Sequence, residues 1–344
     1  MVALALAAGW LLSSLSAARA LRIWNDDIDG TKFRVISIPY RYLEADNGKV
    51  TDLPKDLSMG TLMAYEPVSP ANKDLFLFLA GSGATCAYYS YFLEVIGTHM
   101  HTLCVPYDNR EAIAFKCWVA GRECYAKVRH EALDGNFNGV PNNNIEDRLV
   151  SALHYLVKHE SKRWKAFVDA SNVPRWGSLR VAGHSQGAGT AAMMGYMHKV
   201  SRVLQLSGIC DRADWPERAP PATPSDRWFA FGHDLDRDCP VSVQRKHWQA
   251  EGALKEGAEP LRVRGRDQIT SEFLGDAHAV VSHIAPPGCA GGAEVQGRKV
   301  LEGRGEVDEQ DFCGEMAHRS VCGNVWLNEK CPYAKGLWQS LAGI

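Results

Sequence analysis

One serine in this chain sits where a hydroxyl could be made to react. Ser185 lies at the centre of Gly183-His184-Ser185-Gln186-Gly187, with the apolar run Leu179 to Ala182 before it and the small residues Ala188, Gly189, Ala191 and Ala192 after it. A strand that stops and a helix that starts at once force a serine at the junction into strained backbone, and only near side-chain-free neighbours let the two elements pack. A hydroxyl is a poor nucleophile at neutral pH, so it needs a base within hydrogen-bond reach and a group that orients that base. For the base, His278 in Gly275-Asp276-Ala277-His278 is the choice, read as a turn that follows the last strand and lets the imidazole lean back over Ser185. His283 and His318 read as surface or packing histidines, and His184 as a packing or pocket residue fixed beside the nucleophile. For the orienting acid, the polar run His233 to Asp238 offers Asp234, Asp236 and Asp238. Asp236 lies far enough into that loop to turn toward His278, Asp234 is the alternative, and Asp238 reads as a solvated or capping carboxylate. Side chains two apart face the same way in an extended chain, so alternation does not separate the first two. Negative charge on a substrate oxygen needs N–H donors. The Gly81-Ser82-Gly83 turn supplies them from Ser82 or Gly83, together with the N–H of Gln186.

The elements that must position these residues alternate between strand and helix. Asp74 to Ala80 is an apolar run without polar alternation, which suits a strand buried on both faces of a sheet. Strand-like segments at Phe33 to Tyr42 and Gly60 to Tyr65, with an Asn47-Gly48 turn between, read as antiparallel opening strands. Further strands are expected at Thr102 to Val105, Val203 to Leu206, Arg227 to Gly232 and around Gln268 to Phe273. Helices are expected at Ala87 to Ile96, around Glu111 to Leu133, from Ile145 with apolar Leu149, Leu153 and Leu156, and at Val243 to Ala250. Asp211 to Asp226 is Pro-rich and too short for a large cap domain. Asp134 to Gly139 begins like a calcium loop, but the twelfth position is Ile145, so it reads as an Asn/Gly turn feeding a helix cap near Asn143 or Asn144. The alternation predicts an α/β fold with a mostly parallel central sheet and helices on both faces.

With the elbow, the Gly-Ser-Gly turn after an earlier strand, and the order Ser, Asp, His, residues from about 60 to 285 resemble an α/β-hydrolase of the secreted esterase, lipase or cutinase kind. The resemblance implies that the acid sits just past the strand ending at Gly232. It implies acyl transfer in two steps: Ser185 attacks a carboxylic ester, His278 takes its proton, Asp236 holds the imidazole, and water releases the acyl enzyme. A lipase, peptidase or acyltransferase on the same triad, or a non-catalytic binding module, are the alternatives. No cofactor and no metal is expected.

The rest of the composition bounds the setting. The 344 residues carry a formal net charge of -2 with charges interspersed, so no basic block marks a nucleic-acid partner. A small-molecule or lipid-like ester is the expected partner, and oligomeric state is open. Residues 1-20 read as a secretory signal, with an apolar region from Val2 to Leu12 and a small-x-small site at Ala18-Arg19-Ala20; about 11 apolar residues fall short of the roughly 20 that span a bilayer. The 10 cysteines, with no C-x-x-C pair, predict disulfides in an extracellular protein rather than zinc. Nearest neighbours suggest Cys117 with Cys124 and Cys322 with Cys331. Residues 21-344 are then one domain with a Cys-rich extension over about 285-344.

Overall fold

The computed structural model describes residues 21–39, 61–135, 144–171, 173–211, 215, 220–286, 289, 299–302, 305–323 and 334–344. The proposed signal, the Asn47-Gly48 turn, most of the Asp134 to Gly139 loop and Cys331 lie outside them. The strands are β1 (Arg22–Ile28), β2 (Thr31–Pro39), β3 (Thr61–Pro67), β4 (Leu75–Leu79), β5 (His101–Cys104), β6 (Leu179–His184), β7 (Arg202–Leu206), β8 (Trp228–His233), β9 (Leu261–Val263), β10 (Ala279–Ser282) and a separate hairpin of β11 (Lys299–Glu302) and β12 (Gly305–Asp308). The first ten form one sheet in the order β1-β2-β3-β5-β4-β6-β7-β8-β10-β9. β1, β2, β3 and β5 pair antiparallel, and from β5 onward every pairing is parallel.

β4 and β6 lie at the centre because their side chains are apolar on both faces. Leu75, Leu77 and Leu79 point into one core with Val181, Leu149 and Leu153, whereas Phe76 and Phe78 point into the other with Ala182, Phe92 and Leu204. The first core is roofed by α3 (Glu123–Asp134), α4 (Ile145–His159), α5 (Gln186–Met197) and α6 (Val241–Glu251), and the second by α1 (Ser90–Gly97) and α9 (Lys335–Ala342). Short helices α2 (Ile113–Cys117) and α7 (Ser271–Leu274) sit in connections, and α8 (Glu309–Ser320) follows β12. Truncating a fully buried leucine such as Leu77 to alanine costs about 2–5 kcal/mol in such a core.

The expected helix from Ile145 is present, and Asn144 caps it by accepting the Asp147 N–H at 2.8 Å. Two expectations change. The stretch around Gln268 to Phe273 is not a strand: Arg266–Gln268 is a 3-10 turn and Ser271–Leu274 is helical. The chain beyond residue 285 is more than a stapled appendage, since Met316, Val321, Leu337 and Trp338 are buried in the second core. Among the described residues four disulfides join Cys86 to Cys104, Cys117 to Cys124, Cys210 to Cys239 and Cys289 to Cys313. Cys322 is buried. Among the described residues no helix is long and apolar enough to cross a membrane.

Candidate active site

Ser185 occupies the junction of β6 and α5 with φ 54 and ψ -117. This positive φ is unfavourable for a residue with a Cβ, and it is held by the surroundings: the Ser185 N–H donates to Leu206 O at 2.9 Å and its carbonyl accepts from Ala188 N at 3.0 Å. The flanking glycines are demanded by contact. A Cβ on Gly187 would lie 2.1 Å from Leu79 O, and one on Gly183 would lie 2.2 Å from the Gly187 backbone. The two strands and the helix therefore meet at backbone distance, which fixes Ser185 at the carboxyl end of the central strands.

The Gly81 turn after β4 is pinned through several of its backbone groups. Tyr107 Oη donates to Ala80 O at 2.7 Å, Gly81 N donates to Tyr89 Oη at 3.0 Å, and Asn109 Nδ2 donates to Gly81 O and Ala84 O. Gly83 N donates to Asn109 O at 2.7 Å. Gly83, one of the two alternatives for the oxyanion donor, is thus spent on structure, and Ser82 is the alternative left, with no partner for its N–H among the described residues. The Gln186 N–H is the first of α5, where no carbonyl one turn behind can accept it. The Gln186 side chain ties the two donors together: its Oε1 accepts from Ser82 Oγ at 2.8 Å and from Ile113 N at 3.2 Å. Beneath it, Arg129 is buried, donates to Gln186 O at 2.7 Å and forms a two-point ion pair with Asp211. A Cβ on Gly189 would lie 2.3 Å from that guanidinium, so the small residues after the elbow make room for Arg129.

Asp236 is brought to the site, but not beside the histidine expected. Its carboxylate lies 2.9 and 3.0 Å from Nδ1 of His318, and Cys239 N donates to Oδ1 at 2.8 Å. Both side chains are buried, at 0% and 8% exposure. Burial alone pushes the His318 imidazolium down, yet the hydrogen bond to Asp236 and the charges of Asp236 and Asp238 outweigh it, and the pKa is raised above the usual histidine value. With Nδ1–H given to Asp236, Nε2 is the nitrogen left to accept a proton, and it has no partner among the described residues.

His278 is a correction. It immediately precedes β10, so it lies at the amino edge of a parallel strand, the end of the sheet opposite Ser185. There Nδ1 donates to Trp228 O at 2.9 Å and the ring stacks on Phe229 at 4.2 Å. The apolar run Ala279-Val280-Val281 after His278 is the signal that would have placed the strand behind the histidine rather than ahead of it. Asp234 is engaged elsewhere, with His283 Nδ1 at 3.0 Å and with Arg262. Asp238 is exposed, as a solvated carboxylate should be, and stands on the rim of the cleft.

Ser185, Ser82, Gln186 and His318 share one cleft of about 650 Å³, with Tyr88 and Phe115 on its walls. The arrangement can present a hydroxyl, a base oriented by a buried carboxylate, and two N–H donors to one carbonyl.

No protein-family model and no curated protein matches the chain. Solved structures similar to it include a cold-adapted esterase from an Arctic intertidal metagenomic library, at 12% identity and TM-score 0.37 over 67% of this chain and 82% of that one. An alpha-beta serine hydrolase homologue from Coxiella burnetii aligns at 12% identity and TM-score 0.35, over 66% of this chain and 80% of that one. Esterase PE8 aligns at 15% identity and TM-score 0.34, over 55% and 81%. By its strand order, its positive-φ elbow and its helices on both faces of a mostly parallel sheet, the chain has the α/β-hydrolase fold.

Proposed function

We propose that the protein is a serine hydrolase that cleaves carboxylic esters through Ser185, His318 and Asp236. The observation that carries the reading is the buried Asp236–His318 pair opening on the same cleft as a serine held at positive φ. Ser185 Oγ attacks the carbonyl carbon as His318 Nε2 takes its proton. Asp236 holds the Nδ1–H tautomer and stabilises the imidazolium that forms. The N–H groups of Gln186 and Ser82 receive the oxyanion, each donor being worth about 2.7–4 kcal/mol of barrier. The imidazolium then returns its proton to the leaving alcohol, and a water, activated by the same histidine, releases the acid and restores Ser185. Residues 1-20 as a leader and the disulfides make secretion part of the proposal, with residues 21-344 acting as one unit whose carboxyl-terminal segment supplies the base.

The test is covalent labelling of the purified protein with a fluorophosphonate, beside Ser185→Ala, followed by turnover of p-nitrophenyl esters of increasing chain length. Labelling of the wild type alone, with ester turnover, is expected. Equal labelling of both proteins, or no ester turnover by a labelled wild type, would overturn the reading.

A further inference from the structure

His184, the residue before the nucleophile, takes no part in the steps above, yet it makes two directed hydrogen bonds inside the core. One end of its ring faces Tyr89: Tyr89 Oη lies 3.0 Å from His184 Nδ1, and the same hydroxyl accepts the Gly81 N–H at 3.0 Å. The other end, Nε2, lies 2.9 Å from the backbone carbonyl of His318. A carbonyl accepts only, so Nε2 carries the proton, Nδ1 is the acceptor, and the tyrosine hydroxyl donates to it. The His318 carbonyl belongs to the last turn of α8, where the helix has no N–H to offer it. His184 therefore supplies the missing donor at the residue that bears the base.

We propose that Tyr89 and His184 form a positioning strut, running from the oxyanion turn at Gly81 to the backbone of His318, that sets the imidazole of His318 against Asp236 and Ser185. The proposal rests on the role assigned to His318 under Proposed function. Further observations support it beyond the bonds themselves. The rings of His184 and His318 are 4.7 Å apart, and Tyr89, His184 and His318 are all buried, so water does not substitute for a lost partner. A Cβ on Gly81 would lie 3.0 Å from His184 Nδ1, so the glycine that opens the oxyanion turn also clears the space for this ring. Burial, with the nearby His318 charge, holds the His184 pKa down at about 3, so the strut keeps its protons while His318 titrates. The helix it steadies arrives late in the chain, after the β11 and β12 hairpin.

The experiment compares Tyr89→Phe, His184→Phe and His184→Gln in the full chain, with kcat and KM for p-nitrophenyl acetate measured across pH and melting followed in parallel. A base displaced by about 1 Å costs on the order of 10²-fold, so His184→Phe is expected to lower kcat by that amount with KM within about threefold. The groups facing His318 are Asp236 and Asp238 from the loop after β8, Glu315 and Arg319 on α8, and His184 on β6. Looser alignment on Asp236 removes part of what raises the imidazole, so the acid limb of kcat/KM should move to lower pH in His184→Phe and Tyr89→Phe. His184→Gln retains an N–H donor for the His318 carbonyl and should recover both kcat and the limb to near the wild-type values. Unchanged kcat and an unmoved limb in the two Phe variants, or a lowered melting temperature as the only effect, would overturn the strut. If His184→Phe does not fold, the limb of Tyr89→Phe decides alone. A wild type that fails to label with fluorophosphonate defeats the functional reading as well, whereas a labelled, active wild type with indifferent variants defeats only the strut.

Discussion

Two Asp-His pairs leave the same turn of this chain, and only one of them faces Ser185's cleft. Asp234 and Asp236 follow β8 two residues apart, and each meets a histidine through Nδ1 at close to 3 Å. Around Asp234 the pair is open: His283 is 45% exposed, and Arg262 already neutralises the carboxylate. Around Asp236 it is closed, with both side chains buried and Cys239 N donating to the carboxylate. An exposed pair with a third charge is worth little, because water and the arginine screen it. A buried carboxylate bonded by His318 and by the Cys239 N–H, as Asp236 is, acts through its histidine instead. Identical residue types at identical distance thus differ by burial and by what else shares the charge.

That contrast can be broken experimentally. The largest separation is expected between Asp236→Asn, which should lower kcat by about 10⁴-fold by stabilising the wrong imidazole tautomer, and Asp234→Asn, which should leave kcat within about twofold. Steady-state ester hydrolysis by the two folded variants measures it. Denaturant unfolding gives the corresponding comparison for stability. Arg129→Met strands the buried Asp211 charge and should cost about 3–5 kcal/mol, whereas Arg262→Met at the open pair should cost at most about 1 kcal/mol. A smaller effect is carried by pH. The raised pKa of His318 means that activity, which needs the neutral imidazole, should fall on acidification with a midpoint above the ordinary histidine value of about 6.5. Stability runs the other way: the pairing of charged His318 with Asp236 contributes fully below about 6.5 and is lost as pH rises through the raised folded value. In Asp236→Asn the residual activity should show its midpoint at lower pH than the wild type. The smallest expected effect is that of His283→Ala, whose pH–rate profile should overlay the wild type.

The elbow was legible because its pattern is compact. Gly183 is required by the Gly187 backbone four residues on, Gly187 by the Leu79 carbonyl of the neighbouring strand, and the apolar runs of β4 and β6 announce strands buried on both sides. The place of Asp236 follows from the short, polar loop after β8. The places of the histidines do not, because they depend on where a strand begins. Reading Gln268 to Phe273 as the last strand put His278 at a carboxyl end, whereas β10 starts one residue after it. His318 reaches the cleft by long-range packing: the disulfide between Cys289 and Cys313, five residues before it, and Trp338 and Leu337 in the second core hold that part of the chain against the sheet. Sequence periodicity reports which face of a helix is apolar, not which distant strand end the helix will cross. The same limit applies to Arg129 and Asn109, whose roles are set by carbonyls more than 20 residues away.

The most direct test of the account exchanges the two histidines. His318→Ala and His278→Ala, both shown to fold by circular dichroism and melting, are compared in single-substrate turnover of p-nitrophenyl acetate. His318→Ala is expected to lose about 10⁴-fold or more in kcat while His278→Ala stays within about threefold of the wild type. A His318→Ala protein with wild-type turnover, or a His278→Ala protein that is inactive though folded, would contradict it.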